Sequence, residues 1–102
     1  GGENIACLEI EAAIYEHPSV REASVFGVPD ERLGEKLATR ISLNPGAELS
    51  QADLSSFLAE KIAKFKIPEY AWFQADELPK VAAGKIAKKQ MREDAIKELG
   101  LD

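Results

Sequence analysis

Five cations stand between residues 80 and 92 with no acid among them: Lys80, Lys85, Lys88, Lys89 and Arg92. The stretch Leu78-Pro79-Lys80-Val81-Ala82-Ala83-Gly84-Lys85-Ile86 holds the most chemical information in the chain. Lys85 follows a glycine and precedes a helical pattern. Gly84 lets backbone approach a ligand closely. A lysine on such a loop can serve as a mobile point charge for a phosphate or a carboxylate. The stretch does not fit the phosphate-cradling pattern GxxxxGK[ST], because the spacing fails and Ile86 stands where the hydroxyl residue belongs. By composition alone the ordinary reading of Lys85 is a surface lysine, and that of the basic run is a solvated helix face.

Other candidates are weaker. Gly1-Gly2 reads as the end of a flexible linker or as backbone against which a ligand passes. His17, beside Pro18, reads as a surface residue at a helix end, with no partner that would make it catalytic. Cys7 reads as a small packing residue. Phe57, Phe65, Tyr70, Trp72 and Phe73 read as core, with Trp72 and Phe73 on opposite faces of a strand. The acidic pairs Asp30/Glu31 and Asp76/Glu77 fall in turns and do not form an acid–base couple.

These residues sit in a chain of 102, enough for one domain with a real core. The composition is 45% hydrophobic and 30% charged, which excludes a disordered or collagen-like chain. Apolar runs are only a few residues long, so no segment reads as a transmembrane helix. The net charge is −5, and outside the basic run the balance is 8 positive against 18 negative. That excludes a general nucleic-acid binder and points to a specific anion. One cysteine excludes an internal disulfide and a multi-thiolate zinc site, and makes a cytoplasmic location the default expectation. The Gly1-Gly2-Glu3-Asn4 start shows no signal-peptide pattern and reads as a piece of a longer chain.

The elements that must position Lys85 follow from periodicity. Ile5 to Ile14 is a helix, with Asn4 as N-cap and Pro18 ending it near Glu16. Val20 to Val28 is a strand, residues 30–34 a turn or short helical piece, and Lys36 to Leu43 a second strand with Leu37, Thr39, Ile41 and Leu43 on one face. Asn44-Pro45-Gly46 is a turn. Ser50, with Asp53 three residues on, starts a second helix. Its stripe is Leu54, Phe57, Leu58, Ile62, Ala63 and Phe65, and Pro68 marks its end. Tyr70 to Gln74 is a short strand, Leu78 to Gly84 a loop, and Ile86 to Leu99 a third helix with Gly100 as C-cap. The fold class is α+β, a mainly antiparallel three-stranded sheet with about three helices packed on it.

Several short motifs, taken in order, match a family. Gly1-Gly2-Glu3-Asn4-Ile5, Glu9-Ile10-Glu11, His17-Pro18-Ser19-Val20, Gly27-Val28-Pro29-Asp30, Gly34-Glu35, Lys66-Ile67-Pro68 and Leu78 through Ile86 resemble the C-terminal domain of acyl-CoA synthetases, members of the adenylate-forming enzymes. The resemblance covers essentially the whole chain. Ala6-Cys7 depart from the Tyr-Pro often seen after the glycines, and Val81 and Ala83 from the hydroxyl residues common before the Gly-Lys pair.

The resemblance implies a two-step ligase. ATP and a carboxylate give an acyl-adenylate and pyrophosphate, and the thiol of CoA then gives a thioester and AMP. It implies a single lid domain over residues 1–102, partnered by a large N-terminal domain that is absent here and holds ATP, Mg2+ and the acyl group. Lys85 matches the catalytic lysine that bridges carboxylate and α-phosphate in adenylation. Gly1, Gly2 and Glu3, with Gly84, match loops that approach CoA or the adenylate. Domain rotation would exchange Lys85 for the glycine loop between the steps. The exposed loop around Lys85 also suits a lysine acetyltransferase, which would remove the charge. The alternative is a stand-alone docking module of the same fold, binding a partner through its basic third helix.

Overall fold

The computed structural model describes residues 5–101 of the chain. The elements run α1 (Ile5–Tyr15), β1 (Val20–Asp30), β2 (Gly34–Leu43), α2 (Gln51–Ala59), β3 (Tyr70–Gln74) and α3 (Lys88–Glu98). Short 3-10 turns occupy Lys64–Lys66 and Ala82–Gly84. The three strands form one sheet in the order β1-β2-β3.

The α+β class is the one expected. The sheet is mixed, because β1 pairs β2 antiparallel but β3 joins β2 parallel. The cause is the connection: β1 and β2 form a hairpin, whereas the chain between β2 and β3 passes through α2 and re-enters in the same direction.

Strand alternation divides the core in two. Ala23 and Val25 of β1 and Ile41 of β2 face Cys7, Ile10, Ala13 and Ile14 of α1 and Leu54 and Leu58 of α2. On the other face Phe26, Val28 and Ala38 meet Leu78, Met91 and Ala95, the last two from α3. Leu37, Thr39, Ile41 and Leu43 share a face as their spacing predicts, with Leu37 and Leu43 packed partly buried against the first cluster. Trp72 and Phe73 go to opposite clusters, and both are half-buried.

The helix ends show which local signals win. Ser50 caps α2 by accepting the Asp53 N–H at 3.0 Å. Gly100 takes a left-handed φ of 69° just past α3. The cap expected at Asn4 lies outside the described residues. α2 stops at Ala59, short of the expected Phe65: the Lys61 and Ile62 N–H groups both donate to Leu58 O, which tightens and ends the helix. Phe65 is therefore not core. It is 83% exposed on the 3-10 turn, because the chain has left the helical stripe before reaching it. α3 starts at Lys88 instead of Ile86, since Ile86 is held in an antiparallel bridge to Lys80.

The free edge of β1 is covered by side chains from the helices. Tyr15 Oη donates to Ala23 O at 3.4 Å, the Val25 N–H donates to Glu11 Oε2 at 2.8 Å, and Arg92 Nε donates to Gly27 O at 2.8 Å. Alternate residues of an edge strand present their backbone groups outward, and these contacts occupy a row that would otherwise template another strand.

Candidate active-site loop

Residues 78–87 form a small hairpin between β3 and α3. Its stem is closed by the Val81 N–H donating to Lys85 O at 2.8 Å and the Ala87 N–H donating to Pro79 O at 2.8 Å. The Gly84 N–H donates to Val81 O at 3.2 Å and closes the tip. Reversing the chain in so few residues requires two consecutive left-handed residues, Ala83 at φ 69° and Gly84 at φ 75°. Glycine takes this conformation freely, whereas alanine carries a Cβ penalty. Ala83 is the one non-glycine residue with positive φ among the described residues. Lys85 follows in extended conformation, φ −78° and ψ 143°, and is exposed.

The stem is anchored by apolar and polar contacts. The Leu78 side chain is 1% exposed in the α3-side cluster, and Ile86 packs against the same cluster. Glu22 of β1 reaches the same point: its Oε1 accepts the Leu78 N–H at 2.8 Å and its Oε2 pairs with Lys80 Nζ at 2.7 Å. Lys80 Nζ also donates to Leu78 O at 2.9 Å. Burial pushes the Glu22 carboxyl up. The Lys80 ammonium, the Leu78 N–H and the nearby Arg21 charge outweigh it and hold the group below its ordinary range. One residue earlier, Arg21 donates to Ser42 Oγ and to Ala75 O at 2.7 Å, and Ser42 Oγ donates to Asp76 O at 2.8 Å.

These contacts sort the basic run. Lys80 is paired with Glu22, Lys88 with Glu11, and Arg92 is bonded to Gly27 O. The Lys85 and Lys89 side chains are exposed, and neither ammonium has a hydrogen-bond or ion-pair partner among the described residues. A cation standing clear on a braced loop can meet an anion brought from outside without first breaking an internal pair.

The remaining sequence candidates disperse. Gly1, Gly2 and Glu3 lie outside the described residues, and Gly84 lies at the tip beside Lys85. His17 Nδ1 accepts the Ser19 N–H at 3.1 Å and its ring meets Phe57 edge-on, so it finishes α1 and faces no reactive group. Cys7 is buried in the α1-side core. Asp30 closes the β1–β2 turn. Its carboxylate accepts the Leu33 N–H at 2.8 Å, and that bond with the Lys36 charge holds its pKa below the usual value despite some desolvation. Lys36 is raised, chiefly by its hydrogen bond to Glu69. A surface concavity of about 610 Å3 near this turn is lined by Pro29, Asp30, Arg32, Gly34 and Leu101 among others, and Lys85 is not part of it. Among the described residues no three His, Cys, Asp or Glu side chains converge as metal ligands. Sequence reasoning missed Arg21 and Glu22. The available signal was an adjacent acid–base pair inside an otherwise apolar strand pattern.

Fold and loop together define a small α+β domain that presents one cationic hairpin beside a helix. The profile of the AMP-binding enzyme C-terminal domain matches residues 9–85, and the chain belongs to that family. It is 43% identical over 101 residues to the mitochondrial medium-chain acyl-CoA ligase ACSF2 of Danio rerio, covering 99% of this chain and 16% of that protein. It is 38% identical over 92 residues to a crotonobetaine/carnitine–CoA ligase of Salmonella arizonae, covering 90% of this chain and 18% of the relative. The crystal structure of an acyl-CoA synthetase from Brucella canis superposes with a TM-score of 0.83 at 31% identity, covering 96% of this chain and 18% of that one. The chain thus spans less than a fifth of the length of these acyl-CoA ligases. No described helix is long and apolar enough to cross a membrane.

Proposed function

We propose that the chain is the C-terminal lid of an ATP-dependent acyl-CoA synthetase and that Lys85 is its adenylation lysine. The observation that carries the reading is the sorting of the basic run. Its cations at 80, 88 and 92 are held by internal partners, and of the two exposed lysines, Lys85 and Lys89, only Lys85 stands at the end of a braced hairpin.

In the first step a carboxylate oxygen attacks the α-phosphorus of ATP, a P–O bond forms, and the bond to the β-phosphate oxygen breaks with release of pyrophosphate. Two anions must meet, and negative charge grows on the phosphoryl oxygens. The Lys85 ammonium offsets both, worth several kcal/mol when held in place, on the order of 10²- to 10³-fold in rate. In the second step the CoA sulfur attacks the acyl carbon, the C–O bond to AMP breaks, and the thiol proton is released. Gly1, Gly2 and Glu3 are assigned to this step, with Gly84 leaving the tip open to the nucleotide. Glycine lets backbone lie against the pantetheine arm without a Cβ clash. Rotation of the lid would exchange the two loops.

ATP, the carboxylate and Mg2+ are assigned to the larger part of the parent chain, which this domain would partner over its full length of 1–102. Among the described residues no group of three His, Cys, Asp or Glu side chains gathers as a metal site. A lysine acetyltransferase acting on exposed Lys85 would cancel its charge and stop adenylation, and a cytoplasmic location fits the reduced single cysteine. The stand-alone docking reading is weakened by α3 itself, whose Lys88 and Arg92 are already engaged.

The test uses the full-length parent carrying Lys85→Ala. Pyrophosphate release from ATP with a panel of fatty and aryl acids is measured separately from thioester formation on preformed acyl-adenylate. Loss of the first with retention of the second supports the reading. Two unchanged half-reactions would refute it.

A further inference from the structure

We infer that Glu22, acting through the Leu78 backbone and the Lys80 ammonium, is a positioning residue that aims the Lys85 hairpin, with Arg21 bracing the segment before it; the inference rests on the assignment of Lys85 to adenylation.

The argument begins with register. Val20 pairs with Leu43 and Glu22 pairs with the next residue, Ser42, so Arg21 is an extra residue bulged out of β1. In a regular strand Arg21 and Glu22 would point to opposite faces. The bulge turns both toward the chain that leaves β3. Arg21 reaches Ser42 Oγ and Ala75 O, and Glu22 reaches Leu78 N and Lys80 Nζ. With Ser42 Oγ on Asp76 O, the segment from 75 to 80 is gripped at four places by β1 and β2 side chains, three on its backbone and one on the Lys80 ammonium.

Apolar packing of Leu78 and Ile86 would hold this segment onto the sheet without such a clasp. What packing cannot fix is its rotation about the sheet. The clasp does so by binding both sides of one peptide group's residue: Glu22 takes the Leu78 N–H, and Lys80, paired to Glu22, donates to Leu78 O. The clasp also disposes of Lys80, which otherwise would lie on the same hairpin as Lys85 as a competing cation. From there the stem runs through the Lys80–Ile86 bridge and the Val81 N–H to Lys85 O bond directly to the catalytic position. A rotation of the stem is therefore passed to Lys85. Misplacing a catalytic group by about 1 Å costs on the order of 100-fold in rate.

The experiment uses the full-length parent with Glu22→Gln, Lys80→Met and Lys80→Arg, beside Lys85→Ala. The expected result for Glu22→Gln and Lys80→Met is a fall of roughly 10- to 100-fold in kcat for pyrophosphate release. KM for ATP and for the acid should stay near wild type, and thioester formation from preformed adenylate should change less than about threefold. Lys80→Arg, which can still reach both Glu22 and Leu78 O, should recover most of the loss. Lys80→Met leaves the Glu22 bond to Leu78 N intact and so serves if Glu22→Gln fails to fold. The inference is overturned if both half-reactions fall together in proportion to lost folded protein, which is a purely structural role. It is also overturned if Lys85→Ala abolishes pyrophosphate release while Glu22→Gln and Lys80→Met do not, and in that case the assignment of Lys85 stands. If Lys85→Ala leaves pyrophosphate release intact, the assignment itself fails and the inference falls with it.

Discussion

Exchanging glycine and alanine at the hairpin tip should move stability in opposite directions at neighbouring positions. Ala83 and Gly84 both sit in left-handed backbone, at φ 69° and 75°. A Cβ at position 84 would meet nothing within 4 Å, so Gly84→Ala carries no steric clash with the rest of the fold. Its cost is the left-handed backbone alone, about 1–2 kcal/mol. Against that, alanine restricts the unfolded chain and returns about 0.4–1 kcal/mol. The net expectation is destabilisation by about 1 kcal/mol. Ala83→Gly reverses both terms and should stabilise by a similar amount, about 1 kcal/mol. The double exchange should fall within about 0.5 kcal/mol of the parent, since one alanine and one glycine still occupy the two left-handed positions. Equilibrium urea unfolding, followed by far-UV circular dichroism and by the fluorescence of the single tryptophan, Trp72, reads all three. An Ala83→Gly variant that is less stable than wild type by more than about 0.5 kcal/mol would refute the claim that this tip stores backbone strain.

Three further outcomes follow from the packing and charges. Leu78→Ala removes a side chain that is 1% exposed and should cost about 2–5 kcal/mol in the same urea assay. Gly27→Ala would place a Cβ 2.0 Å from Glu35 Cδ, yet that carboxylate ends an exposed, flexible side chain, so thermal unfolding should shift by no more than the equivalent of about 1 kcal/mol. The Glu22 carboxyl is depressed in the folded state, so its contribution is fully present above its ordinary value of 4.5 and is lost as pH falls below that toward the folded value. The stability gap between wild type and Glu22→Gln, measured by urea unfolding from pH 7 to pH 3, should therefore be constant above about pH 5 and shrink below it.

Much of this fold is legible where the cause is local. Alternation in residues 37–43 fixes which face of β2 meets α1 and α2, Ser50 announces α2, and Gly100 closes α3. The position of Lys85 is legible because a glycine precedes it and a helical pattern follows, and the structure places it exposed at the end of the hairpin. Other features depend on partners distant in sequence. Phe65 continues an apolar stripe by spacing, but the helix has ended at Ala59 because the N–H groups of Lys61 and Ile62 turn back on Leu58. The parallel pairing of β3 is set by where α2 packs, not by residues 70–74. Glu22 meets Leu78 across 56 residues, and only the bulge at Arg21 turns both side chains that way. Within the strand pattern the pair reads as an interruption, with no hint of the segment it holds.

The side-chain cover on the edge of β1 has a mechanical meaning. Glu11 Oε2 accepts the Val25 N–H and pairs with Lys88 Nζ, so one carboxylate ties α1, β1 and the first turn of α3 at a single point. Arg92 repeats the tie to β1 one turn further along α3. Lys85 stands three residues before that knot, on a stem clasped to the same strand. The layers on either side of the sheet are thus riveted through its rim, and α3 cannot shift relative to α1 without shearing a half-buried ion pair. Turning the domain whole breaks none of these bonds. A molecule built this way behaves as a solid handle: turned as a body, it would carry its lysine along without rearranging its own interior.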